Sequence, residues 1–332
     1  MPQSIEDSFI KHQIYLNRYS SSLYKEALPE LKKMRDDISA KLLSTNSNTF
    51  ESARLEYLLR DIKIIIDTTI NGAINPKLFE DLALYESEFS LKVLDGATPA
   101  SVVISGGINA AVLLPEVMAS TMQLQGVKGK QTIEDVIKTF SDAHYKDIES
   151  EIRRGIAEGL TTDKIVNNIQ YLSNNRTRQQ AEAVVRTLTN HIATTARSET
   201  FKEYDHLFIG EKYLSTLDSR TTAICMLNSG KIFKFGEGQQ VPAHFSCRSV
   251  RVAVLKKEYD LDIKSTQSSQ FGQVPDSWDY NDFLKRQNAE FQNEVLGIER
   301  AKLYRKTGEP ITKFVDKSGK FYTLDELKKK EL

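Results

Sequence analysis

The placement of proline and glycine constrains the fold of this chain most strongly. No proline occurs between Pro115 and Pro242, and no glycine occurs between Gly159 and Gly210. Both residue types interrupt helices, so a long stretch without them permits long helices. The sequence therefore predicts that long helices form the centre of the chain.

Apolar residues recur at helical spacing through this central stretch. They predict one helix over Ile133–Glu158, which Gly159 ends, and a second that begins at Thr161 or Thr162. A third helix is predicted from about Thr177 to Tyr204.

The third helix has two unlike sides. One side is apolar and includes Val184 and Leu188, and the opposite side carries Arg186, Asn190 and Arg197. This pattern is typical of an amphipathic helix.

The first part of the chain also has helical periodicity. Leu55, Leu58, Leu59 and Ile62 belong to a strong apolar stripe. No histidine cluster, glycine loop or distinctively spaced carboxylate pair accompanies it. We interpret this region as a helical packing module rather than a catalytic one.

The pattern changes after Gly210. Short alternating apolar runs at Tyr213–Leu217, Lys231–Phe235 and Ser249–Leu255 predict small antiparallel strands. A polar segment follows, then one helix around Trp278–Leu296 and a short basic tail.

The predicted fold class is α+β and predominantly helical. A length of 332 residues is more than one compact core usually fills, so we expect two or three modules. Few elements look able to form a single large core. Four parts are predicted: an N-terminal helical region (1–118), a domain of long helices followed by a small β-module (119–264), a linker (265–275), and a C-terminal helix with a basic tail (276–332).

Charge and cysteine content exclude some classes of protein. The 332 residues include 45 Lys and Arg and 45 Asp and Glu, so bulk electrostatics cannot hold the chain on nucleic acid. Two cysteines exclude a disulfide-stapled secreted scaffold, and no export signal precedes Asp7. The longest apolar run, Ala100–Leu114, is too short to span a bilayer. We expect synthesis in a reducing cytoplasm.

Both cysteines lie in the β-module, with a histidine beside the second: Cys225, His244 and Cys247. Thiolate and imidazole are preferred zinc ligands, and a small module gains stability from a metal. Asp218 is the nearest fourth ligand, whereas water in its place would describe a catalytic site. Two buried free cysteines or a disulfide are the alternatives. The other histidines are scattered: His12, His144, His191 and His206.

A turn precedes Cys225. It contains Asp218, Arg220 and Thr221, and either Arg220 or Arg248 can pair with Asp218. One interpretation is a hydrolytic centre in which Asp218 or His244 acts as the base and an arginine binds phosphate. The other is a buried hydrogen-bond network that fixes the β-module. The sequence favours the network, because a motif without known geometry is weak support for catalysis.

Several blocks of this chain, taken in order, resemble the phage head morphogenesis domain, that is, the Mu F-like minor head protein family of tailed phages. The central blocks are Thr216–Cys225, Gly230–Phe233 and Pro242–Ser249. The likeness covers about residues 120–330. The outer blocks are Gln125–Gly129, Arg153–Thr161, Thr194–Glu199, Leu284–Gln287, Phe291–Gln292, Leu296–Gly297 and Leu324–Leu327.

The resemblance implies a minor capsid protein assembled in the infected bacterial cytoplasm and built into the head near the portal. Its expected partners are the portal protein, the major capsid protein or both, with incidental contact to packaged DNA and no membrane segment. The resemblance also implies a functional or structural centre of the domain. Its positions in this chain are Asp218, Arg220, Cys225, His244, Cys247 and Arg248. Many members read Cys-Arg-Cys where this chain has Cys247-Arg248-Ser249, which removes one thiolate.

Two other classes of function remain open. A metal-dependent enzyme carried in the virion, a hydrolase or nuclease, would use zinc at the Cys-His-Cys positions. A DNA-binding module would use the basic residues Lys328–Lys330.

Overall fold

The computed structural model describes residues 4–44, 52–172, 177–261, 263 and 265–330. It is mainly helical with a few small antiparallel strands, which confirms the predicted α+β class. Among the described residues, none of the helices has the length and apolar character that crossing a bilayer requires. The helices of the first two thirds are α1 (Ile5–Ser44), α2 (Ser52–Ala73), α3 (Glu80–Ala97), α4 (Ala110–Ala119), α5 (Ile133–Ala157), α6 (Thr162–Leu172), α7 (Arg178–Lys202) and α8 (Ala223–Asn228).

The central helices form where the sequence predicts them. α5 begins with a capping box, in which the Thr132 hydroxyl accepts from the Asp135 N–H at 3.1 Å and the Asp135 carboxylate accepts from the Thr132 N–H at 2.9 Å. Just after α5 ends, Gly159 adopts a φ of 67°, in the left-handed region that glycine enters most easily. α6 and α7 follow as predicted.

A single large apolar core joins the N-terminal and central helices. It contains buried residues of α1, α2, α4, α5, α6 and α7, with Ile38, Ile62, Ile152 and Ile192 fully buried. The expectation that few elements could form one large core is therefore wrong. The core crosses residue 118, and the division of the chain into domains remains a prediction.

α7 is buried on both sides rather than on one. Asn190 and Arg197, from its polar side, are only 2% and 1% exposed. α3 and β-strands pack against the polar side, so the amphipathic pattern does not mark a solvent-facing surface there.

A three-stranded antiparallel sheet follows α7. Its strands are β1 (Phe208–Leu214), β2 (Ile232–Phe233) and β3 (Val250–Leu255), in the order β2-β1-β3. Lys212 of β1 pairs with Ile232 on one side and Val252 on the other. The predicted antiparallel strands are thus present, although β1 begins earlier and β2 is shorter than the sequence suggests.

Residues 265–275, predicted as a linker, fold back on themselves. They contain the paired strands β4 (Thr266–Ser269) and β5 (Gly272–Pro275). The Thr266 N–H donates to the Asp7 carboxylate of α1 at 3.0 Å.

The prediction of one helix around Trp278–Leu296 is wrong. Short helices replace it and share a separate apolar cluster that includes Phe283, Phe291, Tyr304 and Phe314. Asn288 caps the N-terminus of the helix Ala289–Leu296, so the preceding helix, Tyr280–Lys285, does not continue into it. Gly297 ends the helix Ala289–Leu296. These helices are α9 (Tyr280–Lys285), α10 (Ala289–Leu296), α11 (Ile298–Thr307) and α12 (Leu324–Lys329).

Gly155 permits the close approach of α5 to α6. A Cβ atom at Gly155 would lie 2.5 Å from Cγ1 of Ile165, well inside contact distance. We expect Gly155→Ala to lower the free energy of unfolding by about 1–3 kcal/mol through overpacking. Gly96→Ala in α3, where a Cβ meets nothing within 4 Å, is the control. Urea denaturation measures both, and equal stabilities would contradict the close approach.

Candidate metal centre

α7 holds the loop that carries His244 and Cys247. The Thr187 hydroxyl accepts from the Ser246 N–H at 2.9 Å. The Asn190 amide donates to the carbonyl oxygens of Cys247 at 2.9 Å and Ser249 at 3.3 Å. The polar side of α7 is therefore buried because it positions this loop.

His244 and Cys247 lie in one tight turn. The Cys247 N–H donates to the His244 carbonyl at 3.2 Å, and Ser246 between them has a φ of 57°. A serine in this left-handed region is uncommon and marks a backbone held by its surroundings. Gln125 contributes to that hold, because its N–H donates to the Ala243 carbonyl at 2.8 Å. The turn thus points two ligand side chains to the same side.

The second structural source of the centre is α8, which supplies Cys225. Its Sγ lies 3.4 Å from Nε2 of His244 and 3.8 Å from Sγ of Cys247, and the three ligand atoms lie within 4.8 Å of one another. All three side chains are buried or half-buried. The cluster could hold a metal ion.

These distances fit the edges of a zinc tetrahedron. Zinc–sulfur bonds of about 2.3 Å and zinc–nitrogen bonds of about 2.0–2.1 Å give sulfur–sulfur edges of about 3.8 Å and sulfur–nitrogen edges of about 3.6 Å. His244 is also oriented as a ligand, because its Nδ1 lies 2.8 Å from the Phe245 carbonyl oxygen. A proton on Nδ1 donates to that oxygen and leaves the Nε2 lone pair facing the sulfurs.

The thiols differ in acidity. The hydrogen bond from Cys225 lowers the pKa of Cys247 well below its usual value, and His244 lowers it further. The same sulfur–sulfur hydrogen bond, together with burial, raises the pKa of Cys225. Burial alone would lower the pKa of His244, but hydrogen bonding to Cys247 raises it. Cys247 is therefore the more readily ionised of the two thiols, and the thiolate is the form that binds a metal.

Asp218 is not among the clustered ligand atoms and pairs with an arginine. Its carboxylate accepts from Nη1 of Arg248 at 2.6 Å and from Nη2 at 2.9 Å, which is a two-pronged ion pair. The Thr221 hydroxyl also donates to it, whereas Arg220 lies 3.9 Å away. Burial would raise the pKa of Asp218, but the Arg248 contacts outweigh it and the pKa is lowered. The cluster has three ligands without Asp218.

Sequence reasoning missed four residues that build this centre. Thr187 and Asn190 lie on a helix read as amphipathic, and Gln125 lies in a block noted only for its family likeness. Tyr213 is the fourth, and its buried hydroxyl donates to Sγ of Cys225 at 3.2 Å. The one sequence signal for Thr187 and Asn190 was their spacing, because polar residues three apart lie on the same face of a helix.

One comparison with known proteins gives a match, and it covers the region around the Cys-His-Cys cluster. Residues 146–252 match the sequence model of the family described as phage Mu protein F like protein. The matched region contains α6, α7, β1, β2, the first residues of β3 and the whole Cys-His-Cys cluster. Residues 146–252, about a third of the chain, are therefore similar to the Mu F-like family of phage head-related proteins. Neither the curated proteins nor the solved structures contain a match to the chain.

Proposed function

We propose that the chain is a minor head protein of a tailed bacteriophage, placed inside the capsid near the portal, where it acts in head assembly and in packaging or ejection of DNA. The observation that carries this proposal is the family match over residues 146–252. The proposed partners are the portal protein and the major capsid protein.

The partner proposal is tested by co-expression of the chain with the portal and major capsid proteins of its own phage. Co-purification with either protein, and density for the chain beside the portal in a map of the particle, are the expected results. Heads of normal composition and yield from a phage that lacks the gene would contradict a role in assembly.

We also propose that Cys225, His244 and Cys247 bind zinc, and that the ion fixes the β-module against α7. The distances between the three ligand atoms support this proposal. A small sheet with a thin core of its own gains stability from such an ion, because the unfolded chain holds no preformed site.

Metal content and stability test the zinc proposal together. We expect about one zinc per chain, and we expect Cys247→Ser to lose the ion and unfold at a lower temperature. Ser249→Cys should bind zinc at least about tenfold more tightly, because Ser249 lines the cavity beside Cys225 and His244 and a thiolate there supplies a fourth ligand. Ser318→Cys, an exposed position outside the cluster, is the control for added thiol. Absence of zinc from the purified chain, together with no gain in Ser249→Cys, would exclude the site.

A metal-dependent hydrolase is the second candidate, favoured by one observation. The cluster supplies three ligands, and Cys225 and His244 also line an open cavity, so that a fourth coordination position can meet solvent. In that case a bound metal would supply an activated water, and His244 would act as a ligand rather than as the base. Cys225→Ser phage that assembles normal heads yet fails to infect would support the enzyme, whereas loss of both would support the structural role.

A further inference from the structure

A cavity of about 330 Å³ lies beside the Cys-His-Cys cluster. Three arginines line it, each from a different element: Arg186 from α7, Arg220 from the loop between β1 and α8, and Arg248 from the loop before β3. Hydroxyl groups of threonine and serine fill much of the remaining wall, including Thr222 and Ser249. The wall therefore carries several hydrogen-bond donors.

The charges around this cavity do not cancel. No carboxylate lines it among the described residues. Glu182 pairs with Arg186 at 2.7 Å, but Arg220 and Arg248 share one carboxylate, that of Asp218. One positive charge is left over at the wall, which gives a cavity that attracts anions.

Donors also remain unused at this wall. Nε of Arg186 is buried and has no hydrogen-bond partner in the described part of the chain. The Arg220 side chain is 81% exposed, and within the described ranges its only ion-pair contact is the long one to Asp218. Although both terminal nitrogens of Arg248 bind Asp218, each carries a second hydrogen. A ligand bound in the cavity could supply the hydrogen-bond acceptor that such a buried donor lacks.

We propose that this cavity binds the phosphoryl group of a phosphate ester, as found on a nucleotide or a nucleic-acid strand. A phosphoryl group has three oxygens around one centre, and guanidinium groups from three directions match it better than they match a two-oxygen carboxylate. The site lies beside the proposed zinc, but its three arginines are not metal ligands. It therefore extends the proposed function without depending on it.

Binding is measured by calorimetry on the full chain as purified, with its metal content determined separately. The probes are inorganic phosphate, a nucleoside 5′-monophosphate, and short oligodeoxynucleotides with and without a 5′-phosphate. The expected result is one saturable site that weakens as salt is added. Arg186→Gln and Arg220→Gln should each weaken it about tenfold or more.

Arg153→Gln is the matched control, because Arg153 on α5 pairs with Glu149 four residues away, as Arg186 pairs with Glu182, but does not line the cavity. It should leave binding unchanged. Arg220 is so exposed that its substitution keeps the fold, which secures the test if Arg186→Gln misfolds.

The probes separate the sources of the phosphoryl group. Equal affinity for inorganic phosphate and the esters identifies free phosphate as sufficient, a preference for the 5′-phosphorylated oligonucleotide identifies a strand end, and equal affinity for both oligonucleotides identifies internal phosphodiesters. No saturable binding by any probe, or the same loss in Arg153→Gln as in the cavity variants, would overturn the proposal. A chain without zinc that still binds phosphate would leave this site standing while the zinc proposal fails.

Discussion

Glu86→Gln should lower the free energy of unfolding by about 3–5 kcal/mol, because it leaves a buried arginine without its counter-charge. Glu86 of α3 is fully buried and accepts hydrogen bonds from His12 of α1 and, at 3.2 Å, from Arg197 of α7. The guanidinium of Arg197 also lies 4.1 Å from the centre of the Phe9 ring. The substitution keeps the shape of the side chain and removes its charge.

Chemical denaturation of the full chain measures this effect. Glu88→Gln changes the same residue type on the same helix at an exposed position, and it should stay within about 0.5 kcal/mol of the wild type. Adding Arg197→Met to Glu86→Gln should recover part of the loss, because the unpaired charge is then gone. If Glu86→Gln and Glu88→Gln proved equally stable, the buried pair would contribute nothing to holding α1 and α3 on α7.

The second large effect is a loss of stability in acid that arises from two histidines. Burial lowers the pKa of His144 to about 4 and that of His191 to about 4, against an ordinary value of 6.5. Below pH 6.5 these two histidines therefore bind protons in the unfolded chain, whereas in the folded chain they remain neutral until about pH 4. Stability is complete above pH 6.5 and falls between these two values by about 1.4 kcal/mol per pH unit for each histidine.

Between pH 7.5 and pH 4.5 we expect the free energy of unfolding to fall by about 3 kcal/mol for each of the two histidines. His144→Gln and His191→Gln should each remove their own share of the pH dependence, whatever their stability at pH 7.5. His206→Gln, at an exposed position, is the control and should keep the full dependence. Metal release in acid affects the wild type and the three variants alike, so the differences between their pH curves report the contribution of each histidine. Parallel pH curves for all variants would contradict the assignment.

The helices of this fold could be predicted because their signals are local. The apolar repeat of α5, its cap at Thr132 and the glycine after its end lie within one stretch of sequence. The break between α9 and α10 also had a local signal, in the capping residue Asn288, but the longer apolar repeat obscured it. Periodicity alone joins two short helices when the caps between them are overlooked.

The candidate metal centre could be predicted only in part, because its geometry depends on contacts between residues far apart in the sequence. The sequence grouped Cys225, His244 and Cys247, and the structure brings their ligand atoms together. It allowed Asp218 to be a fourth ligand or the partner of Arg220 or Arg248, and it could not choose between these roles, because the choice depends on the orientation of a turn. The burial of Asn190 and Arg197 depends on partners more than 50 residues away, for which helical spacing carries no information.

The reach of α1 has a consequence for the order of folding. This helix of 40 residues is about 60 Å long and packs against α2, α6 and α7 and also against β3 and β4. Its first turns share an apolar cluster with β3, in which Ile5 and Phe9 meet Val250 and Val252. During synthesis that end of α1 is not fully covered until the ribosome has made β3, so a segment made well before the sheet is among the last to be completely buried.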